Sequence, residues 1–462
     1  MNMTTRYSHD DGKSLYKKLI LLAVPLALQN IISFAVSLAD NIMVGRLGEI
    51  AISGVYLCNQ IQVFLQMLVA GIGAALIVLA SQYWGKGDSA SVKSIVGISM
   101  KLALVFALVF WGLLFFYPES LLRLFTDDAS AINEAMKYAG IICFSYVFFC
   151  ITNVLTAAMR CVGTVSIGMY LSIMTFIVNV SLNWVLIFGK LGMPALGIKG
   201  AAIATLISRI LECFVIVIYV ARIDKKLFIR LSDLIRSSSV LLWDFVRYGM
   251  PVILGDILWG INLSVQGAIV GRLGAETIAA VSIANTVFSV VSIGVYGTAS
   301  ASAIIIGNTV GEGDFNKVRA YTRKLQFVFL IIGACTGLLL FLIKDYVIFF
   351  YNVAPATRQL ARSLMIVLSV TVVGTSYQMS CLTGIVRAGG ATHFVLVNDS
   401  IFVWLVVIPL SYITAFVVGA PAWVVFLCLK SDQILKCAVA VVKVNRFNWI
   451  KQITKEFVPA KT

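Results

Sequence analysis

DNIMVGRLGEIAISGV at residues 40–55 returns as QGAIVGRLGAETIAAV at 266–281, and the same register runs without a gap from Pro25–Val92 to Pro251–Val318. The paired positions include Pro25/Pro251, Gly45-Arg46-Leu47-Gly48 against Gly271-Arg272-Leu273-Gly274, Ile52/Ile278, Val55/Val281, Asn59/Asn285, Gly71/Gly297 and Gly85-x-Gly87-Asp88 against Gly311-x-Gly313-Asp314. Most of these residues are structural punctuation, so what has been duplicated is a plan of helices and turns. A second echo, Arg160/Arg387, Gly163/Gly390 and Pro194/Pro421, keeps nearly the same offset. Many secondary transporters are built by such duplication, with the binding site near the middle of the membrane.

The chain has 462 residues, of which 60% are apolar and 12% charged, with a mean hydropathy of +0.96. Soluble domains carry about twice that share of charge, so this is an integral membrane protein. Apolar stretches long enough to cross a bilayer fall near 19–42, 50–80, 95–117, 135–158, 166–189, 197–221, 248–270, 276–306, 326–343, 362–384, 393–417 and 421–442. The expected fold is therefore all-α: twelve transmembrane helices in two six-helix lobes related by internal duplication. The boundaries are an N-terminal segment (1–18), an N-lobe (19–221), a polar linker with a short amphipathic helix (222–247), a C-lobe (248–442) and a tail (443–462).

Lysine and arginine accumulate on the cytoplasmic side because translocating them is unfavourable. With both termini inside, 25 fall on the cytoplasmic side and nine outside, Arg387 and Lys436 among the former, while Arg209 and Lys430 lie in spans. Both termini are accordingly expected in the cytoplasm of a plasma (bacterial inner) membrane protein. The net charge of +15 is scattered over short loops, which fits topology and anionic lipid and gives no nucleic-acid surface. Nine cysteines lack paired spacing and read as small apolar core residues. The Gly-x-Gly-Asp segments lack the spacing of a phosphate loop and read as helix-end turns. No Walker motif occurs, so transport would draw on an ion gradient. No soluble domain or zipper is evident, and a monomer is expected.

A carboxylate within hydrocarbon costs on the order of 2.5–3.5 kcal/mol, which makes each one a functional candidate. Asp40 lies late in span 1 with no basic neighbour on its helix face, and its partner in the second copy is Gln266. Arg209/Glu212 and Lys430/Asp432 each offer an opposite charge nearby, so internal pairing or snorkelling towards an interface is expected. Oxygen-bearing partners for Asp40 would be Asn179 and Asn183, which share a helix face at i, i+4, with Thr205 and Asn153 as further members. Each asparagine alone also fits helix–helix adhesion. Pro25 and Pro251 sit early in spans 1 and 7, where a missing N–H permits a bend. In the second half, Asp256 lies near Trp259 and Asn262, and Gln266, Asn285 and Tyr377 add polar groups for a substrate or cation site; Asp256 fits a plain helix N-cap equally well.

The chain resembles the multidrug and toxic compound extrusion (MATE) family of cation-coupled exporters. The resemblance covers roughly residues 15–450 and rests on the Asp40–Gly48 segment, its copy through Ala280, the Gly85-x-Gly-Asp turns, Asn179-x-x-x-Asn183, Arg160-Cys-Val-Gly163 and Arg387-Ala-Gly-Gly390. It implies two six-helix lobes, a cleft opening to either side in turn, and export of organic cations or amphipathic compounds in exchange for Na⁺ or H⁺, with no other cofactor. Carried over by that resemblance, the ion site is Asp40, Asn179, Asn183 and Thr205 with Asn153, Na⁺ falls at Asp40, Asn179 and Asn183, and Pro25 is the bending point. Asn183 stands where fuller sites of the family carry an aspartate, and span 10 has no acidic residue. The rival readings are a lipid-linked oligosaccharide flippase, which needs a basic cleft where only Arg209 and Lys430 lie in spans, and a membrane enzyme, for which no catalytic cluster is present.

Overall fold

Within lipid every backbone N–H and C=O must be satisfied inside its own segment, so apolar runs of this length form helices. The computed structural model describes residues 7–235, 238–351 and 353–454, and among them there are helices and turns but no strand. The ends of the expected terminal segments, 1–6 and 455–462, and two residues of the expected linker lie outside the described residues. The first half comprises α1 (Tyr7–Gly45), α2 (Glu49–Gly85), α3 (Ser89–Phe116), α4 (Ala129–Ile142), α5 (Ser145–Cys161), α6 (Ser166–Phe188) and α7 (Ile198–Ile218). The second comprises α8 (Met250–Gly271), α9 (Ala275–Val291), α10 (Ile293–Gly311), α11 (Phe315–Phe349), α12 (Pro355–Met379), α13 (Thr392–Ser400), α14 (Ala422–Leu429) and α15 (Asp432–Arg446). Ten of the described helical segments are long and apolar enough to span a membrane, and α4 with α5, bent by 54°, makes an eleventh.

Three expected spans are interrupted. The stretch 135–158 bends between α4 and α5, and 276–306 is divided at Ser292. The stretch 421–442 breaks at Lys430–Ser431, where the Ser431 hydroxyl donates to the Cys428 carbonyl (2.7 Å). That break places the Lys430 side chain on a cavity wall instead of inside a continuous span. Wide π-helical turns occupy Phe245–Gly249, Ser380–Val386 and Ile401–Val407. The first directly precedes Pro251, whose ring and missing N–H an ordinary turn accommodates poorly. α1, by contrast, runs unbroken through Pro25.

Contacts divide the chain into two units. One holds 28–80 and 89–246; the other holds the start of α1 up to Ala27, 81–88 and the chain from Arg247 onward. In the first unit, the segment expected as a linker contacts α3 and the end of α5: Lys93 pairs with Asp233 at 3.3 Å, and Lys226 donates to the Val162 carbonyl at 3.0 Å. In the second unit, the end of α2 crosses α10 so closely that a Cβ on Gly85 would lie 1.9 Å from the Asn308 carbonyl oxygen. The duplicated position repeats the contact, Gly311 against the Gln82 carbonyl at 1.9 Å. Gln82 also donates to the Ala388 carbonyl (3.0 Å) and accepts from the Ile453 N–H (3.0 Å), beside the fully buried Trp449. The Gly-x-Gly-Asp segments are the helix-end turns expected of them: Gly87 and Gly313 have φ of +84° and +78°, and Asp314 caps α11 by accepting from the Lys317 N–H at 3.0 Å.

The outer faces are apolar. Phe116, Phe214, Phe350 and Leu405 are exposed, as helices surrounded by lipid require. All nine cysteines are free, six of them buried, in keeping with a packing role.

Candidate functional site

In the first unit, α1 carries Asp40 to the face of α6 on which Asn179 and Asn183 lie one turn apart and buried. The Asn183 amide donates to Asp40 Oδ1 at 2.5 Å and to Asn179 Oδ1 at 3.0 Å, and Asn179 donates to Thr205 Oγ1 of α7 at 3.4 Å. Both hydrogens of the Asn183 amide are thereby used. Its Oδ1 is buried and accepts no hydrogen bond among the described residues. A carboxylate, two amide oxygens and a hydroxyl oxygen thus converge, one of them an orphaned acceptor, which is the donor set a hard cation or an added proton would satisfy. Tyr138 of α4 lies against Thr205, and Asp40 and Arg209 of α7 interact electrostatically. Arg209 bonds Glu212 at 2.9 Å, as their spacing implied, and stacks over Phe149 with its guanidinium 5.1 Å from the ring centre. Asn153 stands apart from this network, its amide donating to the Phe149 carbonyl of its own helix at 2.8 Å.

The second unit encloses a cavity of about 580 Å³ with Asp256, Trp259, Asn285, Arg387, Asp399, Lys430 and Lys436 on its wall. Of the second-half residues offered by the sequence for a substrate or cation site, Asp256, Trp259 and Asn285 line it. Asn262 and Gln266 bond each other across one turn of α8 at 3.1 Å, and Tyr377 donates to Gln326 at 2.7 Å. The N-cap reading of Asp256 does not hold, because it lies inside α8 and accepts from Arg387 Nη1 at 3.2 Å. Between Lys430 and Asp432 the expected pairing is electrostatic, without a direct bond among the described residues. Asp432 turns to Lys436, four residues on, at 3.3 Å, and Lys436 bonds Asp399 at 2.9 Å. Arg387, half-buried, and Lys436, buried, which the sequence assigned to the cytoplasmic side, are therefore held in ion pairs on the cavity wall beside Lys430.

The duplication explains the Asp256–Arg387 contact. Arg160 donates to Gln29 at 2.8 Å, and both pairs are separated by 131 residues. In each copy an arginine ties back to the same turn of the leading helix, through a neutral amide in the first half and a carboxylate in the second. Tyr138 gave no sequence signal as a neighbour of Asp40, since it belongs to a different helix. Lys436 did: it follows Asp432 by four residues, the spacing that places two side chains on one helix face.

A duplicated bundle of membrane helices, with an acid–amide cluster in one unit and a charge-lined cavity in the other, is a transporter's architecture. The MatE family model matches residues 25–185 and 251–413, once per copy, and the chain belongs to this family of multi-pass membrane transporters. It is 25% identical over 408 residues to the probable multidrug resistance protein YoeA of Bacillus subtilis, covering 87% of each chain. It is 23% identical over 419 residues to the probable multidrug resistance protein NorM of Agrobacterium fabrum, covering 88% of each. Among solved structures, a mutant of the Vibrio cholerae MATE transporter VcmN shares the fold with a TM-score of 0.87 at 16% identity, over 96% of this chain and 99% of that one. A MOP superfamily transporter from Pyrococcus furiosus does so with a TM-score of 0.83 at 20% identity, over 94% and 95%.

Proposed function

We propose that this protein is a secondary active antiporter that exports cationic or amphipathic organic compounds across the plasma membrane in exchange for Na⁺ or H⁺, by alternating access. The observation that carries this reading is the Asp40–Asn183–Asn179–Thr205 network, a carboxylate within a membrane span bonded to amides one of whose oxygens has no donor. The relatives' names, probable multidrug resistance proteins, support drugs as the cargo.

A proton or Na⁺ arriving at Asp40 cancels its charge and gives the Asn183 Oδ1 a partner. The Asp40–Asn183 bond then weakens, and α1, with Pro25 as its bending point, shifts relative to α6. Coupling needs only that the ion bind one state better than the other; a tenfold preference corresponds to about 1.4 kcal/mol. The chain acts as a monomer with both termini in the cytoplasm.

The test is efflux of an amphipathic dye from proteoliposomes under an imposed Na⁺ or pH gradient. Asp40→Asn abolishes gradient-driven efflux while the protein remains inserted; full efflux by that variant removes Asp40 from the mechanism.

A further inference from the structure

We propose that the cavity of the second unit binds the carboxylate group of an aromatic, carboxylate-bearing amphipathic substrate through Lys430. This narrows the export reading above and rests on it.

The cavity, about 580 Å³, has the size of a site for a drug-sized molecule, and Trp259, Phe288, Tyr296 and Trp404 give it aromatic walls. Its charges are nearly all spent on one another. Asp256 is bonded to Arg387 (3.2 Å). Asp399 and Asp432 share the ammonium of Lys436 (2.9 and 3.3 Å), and Asp432 also accepts from the Gln433 amide (2.9 Å). Lys430 is different. It lines the cavity but makes no hydrogen bond or ion pair among the described residues, resting over the Phe426 ring at 5.6 Å. Asp432, two residues further on, bonds Gln433 and Lys436 and reaches Lys430 only through its electrostatic field.

Three acids and three bases leave the surroundings of the cavity without net charge, so no excess of carboxylate is left to attract a purely cationic molecule. An ammonium with no bonded partner is poorly compensated, and a ligand carboxylate would supply the charge-assisted hydrogen bonds it lacks. Lys430 falls at the break between α14 and α15, and its side chain lines the chamber. The ligand's aromatic body would lie against the tryptophans, with its acid towards Lys430.

The experiment uses the full chain in detergent and two probes, a rhodamine carrying a free benzoate and the methyl ester of the same dye, followed by fluorescence anisotropy. Wild-type protein is expected to bind the free acid at least tenfold more tightly than the ester. Lys430→Gln abolishes that preference; Lys430→Arg, which keeps the charge, preserves it. Equal binding of the two dyes by the wild type, no binding of the free acid, or an undiminished preference in Lys430→Gln each overturns the proposal. Asp40→Asn keeps the acid preference even where it stops efflux, so failure of this inference and failure of the export reading give different results.

Discussion

Arg387→Gln strands the carboxylate of Asp256, and the cost follows from the geometry of the tie. The contact is a single bond of 3.2 Å between side chains that are 17% and 30% exposed. At an effective dielectric constant of about 20, unit charges at that separation attract by about 5 kcal/mol. Partial exposure of Asp256 lets water recover more than half of this, leaving a net loss of roughly 1–3 kcal/mol for the single variant. Asp256→Asn/Arg387→Gln removes both charges and places two amides where the first copy already has a neutral acceptor, Gln29 facing Arg160. SDS titration in mixed micelles should show the double variant regaining most of the stability lost by Arg387→Gln, a favourable coupling of about 1–3 kcal/mol. Gradient-driven efflux should survive in the double variant, because the tie organises the cavity wall without carrying the ion. Losses that simply add, or a folded double variant with uncoupled efflux, would refute this and transfer the coupling role to Asp256.

Gly85→Ala and Gly311→Ala each force a methyl group to within 1.9 Å of a carbonyl oxygen and should destabilise by about 1–3 kcal/mol in the same titration. Because one separation of the helices relieves both clashes, the double variant should lose less than the sum, and strict additivity would show that the crossing is not shared. Lys436→Met removes the one cation held by both Asp399 and Asp432 from a site where its side chain is 3% exposed, so it should cost more than Arg387→Gln, about 3–5 kcal/mol. Adding Asp399→Asn and Asp432→Asn should recover most of that, and no recovery would mean the loss is one of packing alone. Asp128, at the exposed start of α4, accepts from the Ser130 hydroxyl and N–H, which hold its carboxyl below the usual carboxylate range. Its capping contribution is therefore complete above the ordinary carboxylate value and disappears as pH falls through the lowered one. Amide exchange in the first turn of α4 should accelerate over that window, and Asp128→Ala should be insensitive to it.

The helix plan was legible because glycine and proline mark backbone geometry directly. The Gly-x-Gly-Asp turns and the repeat at Gly85/Gly311 correspond to a positive φ or a close helix crossing, both local demands that only a few residue types meet. The Asn179–Asn183 contact was accessible for a similar reason, since i, i+4 spacing fixes which residues share a helix face, and Asp40 was joined to them through the family resemblance. Pairings between distant helices were not. Arg387 meets Asp256 across 131 residues, and its neighbours in sequence look like a loop. Lys436 was hidden by the positive-inside rule, which assigns a lysine near a span end to the cytoplasm unless buried acids hold it. The division at Lys430–Ser431 was also unreadable from hydropathy, because averaging over a window smooths one charged step inside an apolar run.

The most direct test of the account is ion movement evoked by substrate. Purified protein in liposomes, with no imposed gradient, is given dye on one side while Na⁺ and H⁺ fluxes are recorded separately. The account predicts that one of the two ions moves opposite to the dye, and that Asp40→Asn eliminates this countermovement. Dye transport without movement of either ion, or an undiminished countermovement in Asp40→Asn, would contradict it.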